Sequence, residues 1–307
     1  MQPDIICLGE PMLEFNEQTD GRYLKGHGGD TSNAAIAAAR QNASVGYLTQ
    51  LGKDAFGKEF LELWQSEGVD TCHVKQRGDA RTGIYFVSHD ERGHSFTYMR
   101  KGSAASLMSP SDLPLEYISG ARILHVSGIS QAISATAADT VFAAMEICRN
   151  AGGWVSYDTN LRLNLWPLER ARAVTHAAMA RAHIALPGLE DAVQLTGLTD
   201  PDAIADFYLN LGCEIVALTL GKEGTLIALP NERRRVPGLP VKPVDATAAG
   251  DTFDGAFLAE MAAGRDPYEA ARYANAAAAL STQGFGAVAP MPKRQDVEKF
   301  MNEGRAA

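Results

Sequence analysis

The sequence has no Cys-x-x-Cys pair. Its four cysteines, Cys7, Cys72, Cys148 and Cys213, are strung far apart along 307 residues. That excludes a zinc ribbon or a dithiol redox motif and leaves reduced thiols, as in a cytoplasmic protein. Apolar runs are short. None approaches the ~20 residues that span a bilayer, and the nearest, AARYANAAAALS, is broken by Arg272 and Asn275. The opening residues, MQPDIICLGEPMLEF, lack the basic start and apolar middle of a secretory leader. Positive charge is in deficit, with 28 Lys and Arg against 37 Asp and Glu and a net charge of −9. Nucleic acid and anionic membranes are therefore not expected as partners, although a few local cations can still hold a small anion. Two nucleotide motifs are missing as well. There is no G-x-x-x-x-G-K-[ST] loop, and no G-x-G-x-x-G follows the first predicted strand, where CLGEPM stands instead.

What is present is an ordinary core supply, 46% hydrophobic and 21% charged residues, enough for one large domain with an appendage. Short β-rich runs alternate with helical periodicity. Strands are predicted at 5–10, 45–52, 122–128, 154–158, 183–187, 214–220 and 225–230. Helices are predicted at 31–41, 55–67, 134–151, 167–181, 201–211, 251–263, 267–282 and 293–303. Such alternation predicts an α/β fold, a mostly parallel sheet with helices on both faces. Two segments break the rhythm. Residues 11–29 read as two strands around a turn at Asp20-Gly21, and residues 82–101 as a hairpin turning near Glu91-Arg92-Gly93. They predict a small separate sheet, a lid over the C-terminal ends of the main strands, where open α/β sheets bind ligands. Edge strands of the main sheet are the alternative. The main body is then 1–10, 30–81 and 102–307, and the lid is 11–29 with 82–101.

Three stretches carry chemistry. In DATAAGDTFDGAF, Ala248, Ala249 and Gly250 precede a helix beginning near Asp251. Small residues at a helix start leave amides and the helix dipole open to an anion, typically phosphate. Asp251 at that rim can take a proton from a hydroxyl attacking phosphorus; a plain helix cap is the other reading. In GHGGDTSNAAIAAAR, Gly28 and Gly29 let a polyhydroxylated ligand lie against backbone, while Asp30 and Asn33 offer hydrogen bonds to its hydroxyls. The other reading there is a glycine turn with an ordinary Asp30 or Thr31 cap. In ALTLGKEGTLIAL, a strand ends at Thr219 and Gly221, Lys222 and Gly224 turn into the next strand, as a ligand-facing loop or a simple hairpin does.

The pairing of GGDTSNAAIAAAR with DATAAGDTFDGAF resembles the two signatures of the ribokinase-like (PfkB) carbohydrate kinases. LTQLGKDAFGKEF, GVDT, TGIYFV, HVSGIS, DTNLR and LTLGKEG follow that family in order, so the likeness covers essentially the whole chain. Within the family, GGDTSN, FTYMRKGSAAS, HVSGIS and DTNLRLNLWP are similar to the 2-keto-3-deoxygluconate kinases. The residues agree independently. Arg100 and Arg162 are two arginines where a neutral sugar needs none, and an acid sugar brings a carboxylate that arginine grips with paired hydrogen bonds. Tyr85 and Tyr98 on the lid hairpin supply an apolar face and a hydroxyl.

The resemblance implies a three-layer α/β/α fold and ATP-dependent phosphorylation of a terminal hydroxyl with Mg²⁺. Asp251 would be the base, and the amides around Ala248, Ala249 and Gly250 the anion hole. Thr219, Gly221, Lys222 and Gly224 would lie along the nucleotide, with Asn275 near the adenine. It also implies K⁺ at Asp245 and Thr247, and a homodimer or higher assembly through the lid. Two departures stand out. Ala248 replaces the usual first glycine of the anion-hole turn. In PGLED, Gly188 and Asp191 replace the family's Asn-x-x-Glu, leaving Asp191 to reach Mg²⁺ through a water. A kinase of a neutral sugar (fructose, tagatose or ribose) and a sugar-binding protein without turnover remain as alternatives.

Overall fold

A computed structural model describes residues 2–90 and 93–303. The chain opens with β1 (Ile5–Leu8) and runs into a hairpin of β2 (Met12–Glu17) and β3 (Tyr23–Gly28). Then come α1 (Asp30–Arg40), β4 (Val45–Leu48), β5 (Gln50–Gly52), α2 (Ala55–Ser66) and β6 (Lys75–Arg77). A second hairpin follows, β7 (Gly83–Asp90) and β8 (Gly93–Met99). Beyond it lie α3 (Leu115–Ser119), β9 (Ile123–Ser127), α4 (Gly128–Ala132), α5 (Ala135–Asn150), β10 (Trp154–Asp158), α6 (Leu168–Met179) and β11 (Ile184–Leu186). The chain ends with α7 (Leu189–Thr196), α8 (Pro201–Leu211), β12 (Ile215–Thr219), β13 (Gly224–Leu229), β14 (Glu232–Pro237), α9 (Ala249–Ala262), α10 (Pro267–Ser281) and α11 (Arg294–Glu303).

The main sheet has eight strands in the order β14-β13-β12-β11-β10-β9-β1-β4. From β4 to β12 all neighbours are parallel, and β13 and β14 are antiparallel additions. Side-chain alternation along β1 shows how two cores arise from one sheet. Ile5 and Cys7 join the cluster of α1, α2, α9 and α10, whereas Ile6 and Leu8 join that of α5, α6 and α8. Among the described residues no helix is long and apolar enough to cross a membrane.

The two segments that break the rhythm pair with each other rather than with the main sheet. They form a separate four-stranded sheet, β3-β2-β7-β8, joined by parallel pairing of β2 with β7. One face packs on α2: Phe15 meets Phe56 at 5.9 Å between ring centroids, and Lys25 Nζ reaches Glu59 at 2.7 Å. The turn expected near Glu91-Arg92-Gly93 lies, at Glu91 and Arg92, outside the described residues.

Several elements differ from expectation. The run 45–52 breaks at Thr49 into β4 and β5, which serve different sheets. β14 was not expected, because ERRRVP shows no apolar alternation; its arginines line an exposed edge. The short α3, α4 and α7 were missed too, being under three turns and without a full periodic face.

The contact that matters most for the site is the crossing of α1 and α9. A Cβ on Gly255 would sit 2.3 Å from the Ala34 carbonyl oxygen and 2.6 Å from the Ala37 methyl. The helices are therefore as close as backbone permits, with Ala34, Ala37 and Ala38 opposite. Gly255→Ala must push them apart, at a cost of about 1–3 kcal/mol for overpacking. Chemical denaturation should show this loss at unchanged m-value; a variant as stable as the parent would mean that the crossing is loose.

Candidate active site

The first turn of α1 buries four consecutive polar side chains, each with its own partner. Asp30 Oδ2 accepts from Asn160 Nδ2 at 3.1 Å, and the Thr31 hydroxyl lies 3.0 Å from that of Tyr47. Trp64 donates its indole N–H to Ser32 Oγ at 2.9 Å, and Asn33 Nδ2 donates to Asp251 Oδ2 at 2.8 Å. The cap is Gly29 at φ 109°, not Asp30 or Thr31. Gly29 also sits where a Cβ would be 2.5 Å from the Glu10 carbonyl oxygen, so no side chain fits there. Gly28 differs from expectation. The space its missing side chain leaves is filled by Tyr85, whose hydroxyl would be 2.7 Å from a Cβ.

The loop after β10 is fixed at both ends. Asn160, at φ 27°, donates its backbone N–H to Asp158 Oδ1 at 3.1 Å. Leu161 N–H donates to Asp191 Oδ2 at 2.8 Å. Arg162 Nη1 donates to the Leu161 carbonyl at 2.8 Å, and neither Asp158 nor a helix end holds it. Its charge instead acts on Asp191 and Asp251: burial pushes the pKa of both above the ordinary value, and Arg162 opposes that rise.

At the start of α9 the cap is Ala248, in the left-handed region at φ 58°, ψ 19°. This is where the usual glycine is missing, and an alanine there is strained. Among the described residues the amides of Ala248, Gly250 and Asp251 have no acceptor, but Ala249 donates to the Ala246 carbonyl at 3.1 Å. The open amides are thus Ala248, Gly250 and Asp251 rather than Ala248 to Gly250. A Cβ on Gly250 would meet nothing within 4 Å. Asp251 stands three residues inside the cap, so the cap reading for it falls.

Asp251 is one of four acids gathered here. Burial, then the charge of Asp30, raises its pKa from 3.8 to about 7, against the opposing Asn33 hydrogen bond and Arg162 charge. Asp254, one turn further along α9, and Asp158 at the end of β10 are both pushed well above the carboxylate range. Burial is the main cause for each, followed by the charge of Asp158 for Asp254 and of Asp30 for Asp158. Sequence reasoning missed both. Their signal was there: Asp254 follows Asp251 at helical spacing, and Asp158 opens DTNLR.

The small sheet turns its other face to this cluster. Tyr85 and Tyr98 do not alternate but stand directly opposite each other on β7 and β8, with rings 5.7 Å apart. Tyr85 donates to Glu14, and burial followed by the Glu14 charge drives its pKa up, with Asp251 a smaller contributor. Arg100 is not free for a ligand as expected. Its Nε and Nη2 both donate to Glu10, and its guanidinium lies 5.4 Å from the Tyr98 ring centre. Nη1 is the donor group it keeps.

The expected nucleotide side is only partly open. Thr219 bridges to Gly188, while Gly221 and Lys222 are exposed. Gly224 faces inward: at φ 100° its Cβ would be 2.2 Å from the Val236 carbonyl, so the β13–β14 hairpin requires it. Asn275 does not offer its amide to a ligand. It accepts from Thr225 Oγ1 at 2.7 Å and donates to the carbonyls of Val236 and Pro237, bracing β14. Asp245 Oδ1 accepts from the Thr247 N–H and hydroxyl and Oδ2 from Gly286 N–H, so both carboxylate oxygens already hold donors of the surrounding loops. Among the described residues no three His, Cys, Asp or Glu converge to hold a metal. Asp191 keeps one oxygen for a metal-bound water, which fits Mg²⁺ carried mainly by phosphate.

The raised pKa of Asp251 sets the sign of a stability effect. In the unfolded chain it ionises near 3.8 and in the fold near 7. Below 3.8 both states are protonated and nothing is lost. The folded state is progressively penalised between the two values and carries the full penalty above 7. Asp251→Asn should therefore raise Tm at pH 8 more than at pH 4; equal shifts at both would refute burial of the charge.

A family model for the pfkB family carbohydrate kinases matches residues 2–294. The chain is 33% identical to 2-dehydro-3-deoxygluconokinase of Bacillus subtilis (strain 168), over 99% of this chain and 97% of that protein. It is 31% identical to a fructokinase of Salmonella typhimurium, over 97% and 99%. Its structure is similar to that of a fructokinase from Vibrio cholerae O395 in fructose, ADP and calcium ion bound form. That match has a TM-score of 0.88 and 29% identity, over 98% and 99% of the two chains. The architecture is ribokinase-like, and the chain belongs to the PfkB family of carbohydrate kinases.

Proposed function

We propose that this kinase uses ATP to phosphorylate the terminal hydroxyl of 2-keto-3-deoxygluconate, giving 2-keto-3-deoxy-6-phosphogluconate. The observation that carries phosphotransfer is the meeting of Asp251 with three open amides at the tip of α9. The sugar hydroxyl oxygen attacks the γ-phosphorus, its proton passes to Asp251, and the bond to the bridging oxygen breaks to release ADP. Amides of Ala248, Gly250 and Asp251 receive the charge that develops on the transferring group. Asn33 holds Asp251 in place, and its buried Oδ1, which lacks a donor among the described residues, accepts from a sugar hydroxyl. Mg²⁺, bound with the nucleotide, neutralises phosphate charge. No step here depends on a monovalent cation.

The acid-sugar reading rests on Arg162, on the remaining edge of Arg100, and on the likeness to the B. subtilis enzyme. The neutral-ketose reading is favoured by the fructokinase likenesses and by the share of Arg100 taken by Glu10. A coupled ADP-release assay over sugar acids and neutral ketoses separates them. Arg162→Ala should raise KM for the sugar acid roughly tenfold or more while sparing KM for ATP, as loss of a charge-assisted grip does. Turnover of fructose and not of the sugar acid would overturn the substrate. Asp251→Asn should lower kcat by roughly 10²–10⁴-fold; unchanged turnover would remove the base. For the parent enzyme kcat/KM should climb with pH through about 7, and Arg162→Ala should move that limb upward.

The small sheet serves as the lid, closing over sugar to exclude water. Its exposed Leu24 and Phe96, which share the face of Tyr85 and Tyr98, are the surface on which we place a homodimer. Leu24→Asp should give a monomer in small-angle scattering; a monomeric parent at micromolar concentration would refute the assembly. The four cysteines are free, in keeping with a cytoplasmic setting.

A further inference from the structure

Glu10 stands in the short joint between β1 and β2, where the chain leaves the main sheet for the lid, and it is 1% exposed. Its carboxylate is fully engaged. Oε2 receives Arg100 Nε at 2.8 Å and also Nη2, and Oε1 receives the Ser103 hydroxyl at 2.6 Å. The chain crosses between body and lid four times, and all four crossings touch this one residue. The first is Glu10 itself, ahead of β2. The second is Gly29, after β3, which packs so closely on the Glu10 carbonyl that a Cβ would be 2.5 Å from it. The third is Gly83 at the start of β7, whose Cβ position is 3.1 Å from Glu10 Oε1. The fourth is Arg100, directly after β8, with Ser103 one turn on, where Ser103 N–H donates to the Arg100 carbonyl at 2.9 Å.

We infer that Glu10 is a positioning residue that pins the lid to the body and fixes the Arg100 guanidinium for substrate. A carboxylate suits this task. A guanidinium held along its Nε–Nη2 edge cannot swing about its last torsions, and its Nη1 stays directed away from the pair. The buried pair also ties an outgoing lid strand to an ingoing one, so the lid moves about Glu10 rather than peeling at one root. An anion reaching Nη1 then shares Arg100 with Glu10, which links ligand charge to the lid's seat. The part concerning Arg100 and substrate rests on the sugar-acid reading; the pin does not.

The test uses Glu10→Gln in the full chain, with hydrogen exchange and steady-state kinetics. Gln keeps the shape but removes the charge and one acceptor. Exchange should rise across 12–28 and 83–99 while β9 and β10 stay protected. KM for 2-keto-3-deoxygluconate should rise roughly tenfold, as misplacement of a binding group does, with KM for ATP within about twofold. In an Arg100→Gln background the same change should add less than about twofold, because the two act as a unit. Uniform exchange, or equal rises in both KM values, would reduce Glu10 to ordinary core and overturn the inference. If Gln at this position does not fold, Ser103→Ala, which removes one contact, should give the same pattern at smaller size, and its absence would count equally against the pin. Should the parent turn over a neutral ketose and no sugar acid, the substrate reading fails, and lid exchange still decides the role of Glu10.

Discussion

The site depends on how closely two helices approach. α1 and α9 meet where Gly255 faces Ala34, Ala37 and Ala38, and at that separation their N-terminal turns lie side by side. Asn33 can then reach Asp251 with a single hydrogen bond across 218 residues of sequence. Everything chemical follows from that junction. The same helix start that presents Asp251 presents three amides with no acceptor among the described residues, and the strain at Ala248 is the cost of turning the chain sharply enough to expose them. Small side chains in both helices are therefore not filler; they set the distance between Asp251, the proposed base, and the Asn33 amide that holds it.

The electrostatics of the cleft are unusual for a protein that handles phosphate. Asp30, Asp158, Asp251 and Asp254 converge, and burial with mutual repulsion raises the pKa of Asp158 and Asp254 well above the usual carboxylate range. The shift favours their uncharged forms, which repel an incoming anion less than carboxylates do. Arg162 offsets what remains, and its position is fixed indirectly, because Asp191 holds the neighbouring Leu161 amide. Asp191, part of the departure from the family pattern, thus acts in the loop that presents an arginine.

Much of this was legible in the sequence. The alternation of strands and helices, the separate small sheet and the helix beginning at the Ala-Ala-Gly turn follow from periodicity and turn residues. Asp251 and Asn33 stood out because polar residues beside glycine and alanine at helix starts have few structural reasons to be there, and the structure brings those two into contact. What sequence could not give was partnership. Arg100 reads as a free cation until Glu10, ninety positions earlier, is seen beneath it. Asn275 reads as a ligand contact until its amide is found bracing β14. Gly28 and Gly224 read as room for a ligand, but Tyr85 and the β13–β14 hairpin take up that room. In each case a side chain's meaning depends on long-range neighbours that no local pattern encodes.

The main sheet also limits how copies of this chain can meet. At one border β4 is sealed by Asp70, which exchanges backbone hydrogen bonds with Val45 and Tyr47, and the Tyr117 hydroxyl holds that aspartate. At the other, three successive arginines on β14 repel any like strand. Strand-to-strand growth is thereby denied to the body of the protein. Among the described residues the small sheet keeps β3 and β8 as its borders, so a sheet continued along either from one molecule into the next would run past the cleft that this sheet faces.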